Sequence, residues 1–227
     1  MGIAIAGMVS VFIARATRSA AMAQELLGAC FTGILVSDRY AAYGWIAAQR
    51  RQVCWAHWLR DFTKMSERSG AAGRIGEELI AHTQRMFAFW YRVRDGTLSR
   101  ASFACYMLFL QNRIENVLQQ GSVCGESKTA STCRHILKLR PALWTFISTP
   151  GVEPTNNLAE RTLRSYVIWR KVCFGTQSRR GSLYIERMMT VVGSCKLQER
   201  NSLEFITQAL MAHWGKEPVR FSVCKRS

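Results

Sequence analysis

Acidic residues are what this 227-residue sequence has least of. Fifteen Asp and Glu stand against 31 Lys and Arg, for a net charge of +16 and an isoelectric point near 10.1. Asp occurs only at Asp38, Asp61 and Asp95, and Glu25 is the only acid ahead of Asp38. Chemistry that needs an early carboxylate therefore has almost no candidates. Also missing is any C-x-x-C pair. The 8 cysteines scatter from Cys30 to Cys224 in a chain too large to need staples, which argues against a disulfide framework and for reduced thiols in a cytoplasmic protein. The apolar start, residues 3–14, is too short to span a bilayer and has no Lys or Arg before it, so neither a transmembrane helix nor a signal peptide fits. Met1-Gly2 resembles a myristoylation start, but Ala6 stands where Ser or Thr is required. There is no internal repeat.

What is present is a composition able to fold. With 48% hydrophobic and 11% aromatic residues the chain can bury one core with one sizeable insertion. Its positive excess favours polyanionic partners, chiefly nucleic acid, because each phosphate contact releases condensed counterions. A membrane surface is the weaker rival, since the basic residues are spread along the chain and not gathered on one amphipathic helix.

Periodicity gives the organisation. Val9, Val11 and Ile13 alternate as in a strand, and residues 17–27 are helix formers closed by Gly28. GILVSD, residues 33–38, is a short apolar strand ending in an acid, and RQVCWAH reads as a strand running into a helix. Ile75, Leu79, Met86, Trp90 and Val93 then sit at helical spacing, as do Phe103, Leu110, Ile114 and Val117. The spacing predicts a polar loop over 121–132, a helix over 136–147 with a kink or restart at Pro141, and helices over 182–195 and 202–214. This order predicts an α/β layer interrupted by helices, with the two ends meeting in space.

Two acids stand out. Asp38 closes an apolar strand, the place where α/β sheets gather ligands; spacing alone also allows, and favours, a turn or N-cap Asp. In EPTNNLAERTLR, residues 153–164, Asn157 and Glu160 fit a capping box, and Glu160 with Arg164 makes an i,i+4 pair. Capping does not account for Asn156, Arg161, Arg164, Arg170 and Lys171 in the same stretch. An acid for a divalent cation beside amides and cations for phosphates is what phosphodiester chemistry requires. Arg179 and Arg180, in a Gly-bounded stretch over 174–182, read as phosphate contacts or as a solvated loop. Cys54-Trp-Ala-His57 is half a zinc site with no second half, so packing or hydrogen bonding is the better reading, and His57 remains a candidate DNA contact.

LVSDRYAAYGW (35–45), RRQVCWAHWLRDF (50–62), GVEPTNNLAERTLR (151–164) and CFGTQSRRGS (173–182) together resemble the insertion-sequence 66 family of transposases, over roughly residues 8–212. The resemblance implies an α/β fold, an incomplete ribonuclease H-like core whose mixed sheet lacks its first strand, interrupted by a large all-helical insertion. The implied divisions are 1–60 and 151–214 for the core, 61–150 for the insertion and 215–227 for a basic tail. It implies an Asp-Asp-Glu site in which Asp38 matches the second acid and Glu160 the third, both as catalytic residues and metal ligands. Mg2+, with Mn2+ as substitute, would be held weakly because nothing matches the first Asp. Glu25, on a predicted helix, has the wrong context to replace it. A truncated copy with little cleavage of its own, poor solubility and an exposed edge at residues 33–37 is the expectation.

The implied partners are DNA, as transposon ends and target, a second copy or other element-encoded proteins, and no membrane; the implied location is the bacterial cytoplasm, on the nucleoid when DNA is bound. Three other readings stay open: a non-catalytic basic DNA-binding remnant, a helical interaction module, and a Glu160 that only caps its helix.

Overall fold

The computed structural model of the chain describes residues 1–15 and 17–215. In chain order the strands and first helix are β1 (Gly2–Ala6), β2 (Val9–Ile13), α1 (Ala20–Leu27), β3 (Leu35–Ser37) and β4 (Arg51–Val53). Helices follow: α2 (Trp55–Ser66), α3 (Gly70–Arg94), α4 (Arg100–Ser122), α5 (Ser127–Lys138), α6 (Thr145–Ser148), α7 (Asn157–Cys173), α8 (Arg179–Leu197) and α9 (Ser202–Trp214). The strands form two separate two-stranded sheets, β1-β2 and β3-β4. The chain divides into two compact units, Met1–Phe31 with everything from Asn157 onward, and Thr32–Asn156. The tail expected at 215–227 lies, from residue 216, outside the described residues.

In the first unit β1 and β2 pair antiparallel, from Gly2 opposite Ile13 to Ala6 opposite Val9. Only Gly7 and Met8 connect them, and Gly7 takes φ +57, the left-handed value a two-residue hairpin demands of its first position. The far edge of β2 is covered by side chains of α8. Ser10 N–H donates to Ser194 Oγ at 3.1 Å, Phe12 N–H to Thr190 Oγ1 at 3.0 Å, and Ala14 N–H to Glu186 Oε1 at 2.6 Å. Two residues of strand rise about 6.8 Å and four of helix about 6 Å, so every second strand amide meets every fourth helix side chain. Gly193 lets the two approach, since a Cβ there would lie 2.4 Å from Ser10 Oγ.

The second unit holds the larger core. Trp55, Trp58 and Phe62 from α2, Leu79 and Met86 from α3, and Phe103 and Ile114 from α4 are all 0% exposed. Gly73 and Gly76 bring α3 against the end of α2: a Cβ on Gly76 would stand 2.3 Å from the Ser66 backbone nitrogen. The parallel pair β3-β4, with Leu35 opposite Arg51, is tied to the helices through Gln52. Its buried amide donates to Leu143 O at 3.1 Å and accepts from Phe146 N at 2.9 Å.

One expectation needs correction. The stretch 121–132 is not a loop: α4 runs to Ser122 and α5 starts at Ser127, because the Glu126 side chain caps α5 by accepting from Lys128 N and Thr129 N at 3.1 and 2.6 Å. The helical stretch over 136–147 restarts at Pro141 as its spacing predicts, α5 ending at Lys138 and a 3-10 turn carrying Pro141 preceding α6. Proline has no N–H to continue the ladder. Among the described residues no helix is long and apolar enough to cross a membrane.

Candidate nucleic-acid and metal site

Asp38 belongs to the second unit and follows β3 directly. Its Oδ1 accepts the Tyr40 N–H at 3.0 Å, an Asx turn of the kind that ends a strand. Beside it lies a residue that sequence reasoning passed over. Arg51, at the head of β4, is 5% exposed, and among the described residues its Nε and Nη2 have no hydrogen-bond partner. Burial pushes the Arg51 guanidinium pKa down, and the charges of Asp38 and Tyr43 pull it partly back. Arg51 heads a three-residue strand that is buried throughout, and nothing local in the sequence marks it off from Arg50. Next along the chain Arg39 pairs with Asp61 and lies 5.0 Å over the Trp58 ring. His57 sits half-buried in the first turn of α2, and Cys54 is fully buried.

Glu160 belongs to the other unit, in the first turn of α7. At about 100° per residue Asn157, Glu160, Arg164 and Lys171 fall within roughly 60° of one another, while Arg161 and Arg170 flank that face. Arg161, Arg164, Arg170 and Lys171 are exposed, and no residue of α7 is fully buried. Asn156, just ahead of the helix, has a buried Oδ1 with no hydrogen-bond partner among the described residues.

Arg179 and Arg180 are the first residues of α8, which starts three residues earlier than the spacing predicts because Ser178 caps it, accepting from Gly181 N at 3.1 Å. A helix N-terminus repels cations and attracts anions, so helix stability does not explain two arginines there. Among the described residues none of these six cations enters an ion pair.

Carboxylate oxygens suit a hard divalent cation, and the two acids qualify by chemistry. Among the described residues no group of three or more His, Cys, Asp or Glu stands together in a way that could hold a metal ion. Glu25, the only earlier acid, is occupied by an ion pair with Arg15, which also binds Glu186 at 2.5 Å. The seven described cysteines form no disulfide.

Over residues 5–183 the chain matches the family described as Transposase IS66 family. The chain belongs to the IS66 transposase family. The match takes in Asp38, Arg51, Glu160 and the arginine pair of α8. This IS66-family chain is also similar to an uncharacterized protein, y4qI, of Sinorhizobium fredii, 28% identical over 209 residues. That alignment covers 83% of this chain and 37% of the relative, so the chain spans little more than a third of that protein's length. No solved structure matches.

Proposed function

We propose that this chain acts in DNA transposition, as part of the catalytic region of an IS66-type transposase with a ribonuclease H-like core. The observation that carries the reading is the placement of the two family acids. Asp38 follows β3 beside a buried guanidinium, and Glu160 stands in the first turn of α7 among exposed cations that enter no ion pair among the described residues. The substrate is a DNA phosphodiester, and the sites of action are transposon ends and target DNA, in the cytoplasm on the nucleoid.

Asp38 and Glu160 would hold Mg2+, or Mn2+ in its place; a bound divalent ion polarises the phosphate and lowers the pKa of an attacking hydroxyl. The chain's own groups do the rest. Arg161, Arg164, Arg170 and Lys171 neutralise backbone phosphates along α7, and Arg179 and Arg180 present cations and amides together at the start of α8. Asn156, Asn157 and His57 add hydrogen bonds that place the strand. Two carboxylates by themselves hold a divalent ion loosely, so cleavage supported by them alone is slow.

The experiment is a supercoiled-plasmid nicking and binding assay on DNA carrying the element's ends. The reading expects binding with a steep salt dependence and a slow, metal-stimulated nick lost in Asp38→Asn and in Glu160→Gln. Binding no tighter than that of an unrelated protein of equal charge, with any nicking untouched by both substitutions, would contradict it.

A further inference from the structure

Helices α3 and α4 bury one face in the core of the second unit and leave an adjoining edge open to solvent. Along that edge Phe89 of α3 and Tyr106 of α4 lie ring on ring, centroids 5.1 Å apart and 18° from parallel. Arg85, one helical turn before Phe89, reaches over its ring at 5.9 Å. Arg113, one turn after Phe109, reaches over that ring at 5.0 Å. Tyr106 is 50% and Phe109 60% exposed, and both are far above what core aromatics of the same helices show, such as Phe103 at 0%. The acid on the same edge of α3, Glu78, lies about two turns before Arg85, 3.5 Å from His82 Nε2. Among the described residues neither Arg85 nor Arg113 has a carboxylate partner.

This edge therefore alternates flat apolar rings with uncompensated guanidinium groups. A protein partner would have to strip water from the two arginines to cover the rings. A single-stranded nucleic acid meets both at once, because an unpaired base offers a π-face to an aromatic ring or a guanidinium plane while its phosphate offers a charge. A duplex offers no such face along its length. We propose that the α3–α4 edge is a binding surface for single-stranded DNA, with Tyr106, backed by the half-buried Phe89, and Phe109 as stacking platforms and Arg85 and Arg113 as phosphate contacts. The surface lies wholly within the second unit and uses neither Glu160 nor the arginines of α7 and α8. It needs no metal and no cleavage, so it stands or falls apart from the catalytic reading.

The test titrates the full chain into a fluorescein-labelled oligothymidine and into a hairpin duplex, following anisotropy against salt. In the Tyr106→Ala/Phe109→Ala chain the oligothymidine Kd should rise about tenfold or more, with the duplex Kd unchanged. In the Arg85→Gln/Arg113→Gln chain the slope of log Kd against log salt should fall by about 1.4, from roughly 0.7 per contact. These side chains are exposed, so circular dichroism and the melting temperature should match wild type and confirm folding. Unchanged oligothymidine binding in both chains would overturn the proposal. So would an equal loss of duplex binding, or a dimer-to-monomer change in sedimentation without any change in binding, which would give the edge to a second copy instead.

Discussion

Ala14 and Glu186, 172 positions apart, meet through a 2.6 Å hydrogen bond from backbone amide to carboxylate. That contact is the third rung of a ladder in which α8 supplies, from side chains, the acceptors that a further strand would otherwise supply to β2. An edge strand is thereby blunted, and the two chain segments of the first unit are joined. Replacing Glu186 by Leu leaves the Ala14 amide without its acceptor and removes one of the two carboxylates that Arg15 meets. Urea unfolding should show a loss of about 1–3 kcal/mol. Thr190→Val, which removes one neutral acceptor from Phe12, should cost about 1 kcal/mol.

Gly76→Ala should destabilise the second unit by at least about 1–3 kcal/mol, because the new methyl meets the Ser66 backbone at 2.3 Å and backbone cannot swing aside. A chemical denaturation curve checks this against Gly125→Ala, which meets nothing within 4 Å.

Arg51 should behave in the opposite sense. A buried guanidinium with two donor atoms unmatched lowers stability, so Arg51→Met should leave the unfolding free energy unchanged or raise it by up to about 4 kcal/mol. DNA binding or nicking lost in the same variant would mark Arg51 as kept for function at a cost in stability. A clear loss of stability would show that the arginine holds the β3-β4 pair together.

Glu126 gives the fold an acid-sensitive cap. Hydrogen bonds from Thr129, side chain and backbone, hold its carboxyl at about 2, down from 4.5. The folded state thus favours the ionised form. The stabilisation is complete above pH 4.5 and disappears as pH falls towards about 2. The melting temperature of Glu126→Gln should therefore lie below wild type at neutral pH and converge with it as the pH approaches about 2.

Thiol reactivity should separate the cysteines by burial. Cys133, with its thiol pushed up to about 12 by burial, should resist iodoacetamide in the native chain, while exposed Cys30, Cys105 and Cys173 label. Peptide mapping before and after urea reads the order; early labelling of Cys133 would show that the α4–α5 packing opens readily.

How much of this was legible in the residues depends on whether the signal is local. The alternation of Val9, Val11 and Ile13 shows a strand, and the stripe Ile185, Met188, Val192 shows a helix, because each follows from one element's own period. That Ser194, Thr190 and Glu186 complete the strand's hydrogen bonds is a tertiary pairing with no local trace. The Glu126 cap was hidden for another reason: a glutamate is a poor N-cap by propensity, and the small polar residues around it look like a loop. At the site, Glu160 and the cations of α7 were readable from helical spacing. The burial of Arg51 was not, because which of the two arginines in RRQVCWAH is buried depends on what packs over it.

We propose that Asp38 and Glu160 are each ligands of a divalent ion. Mn2+ titrated into the full chain and followed by electron paramagnetic resonance tests it directly, with Glu160→Gln chosen to preserve any capping bond and Asp38→Asn to preserve the turn. A weak Mn2+ site should be present in wild type and lost in either variant, while both chains keep the wild-type melting temperature. Mn2+ binding that survives both substitutions, or is absent from wild type in the presence of DNA, would contradict it.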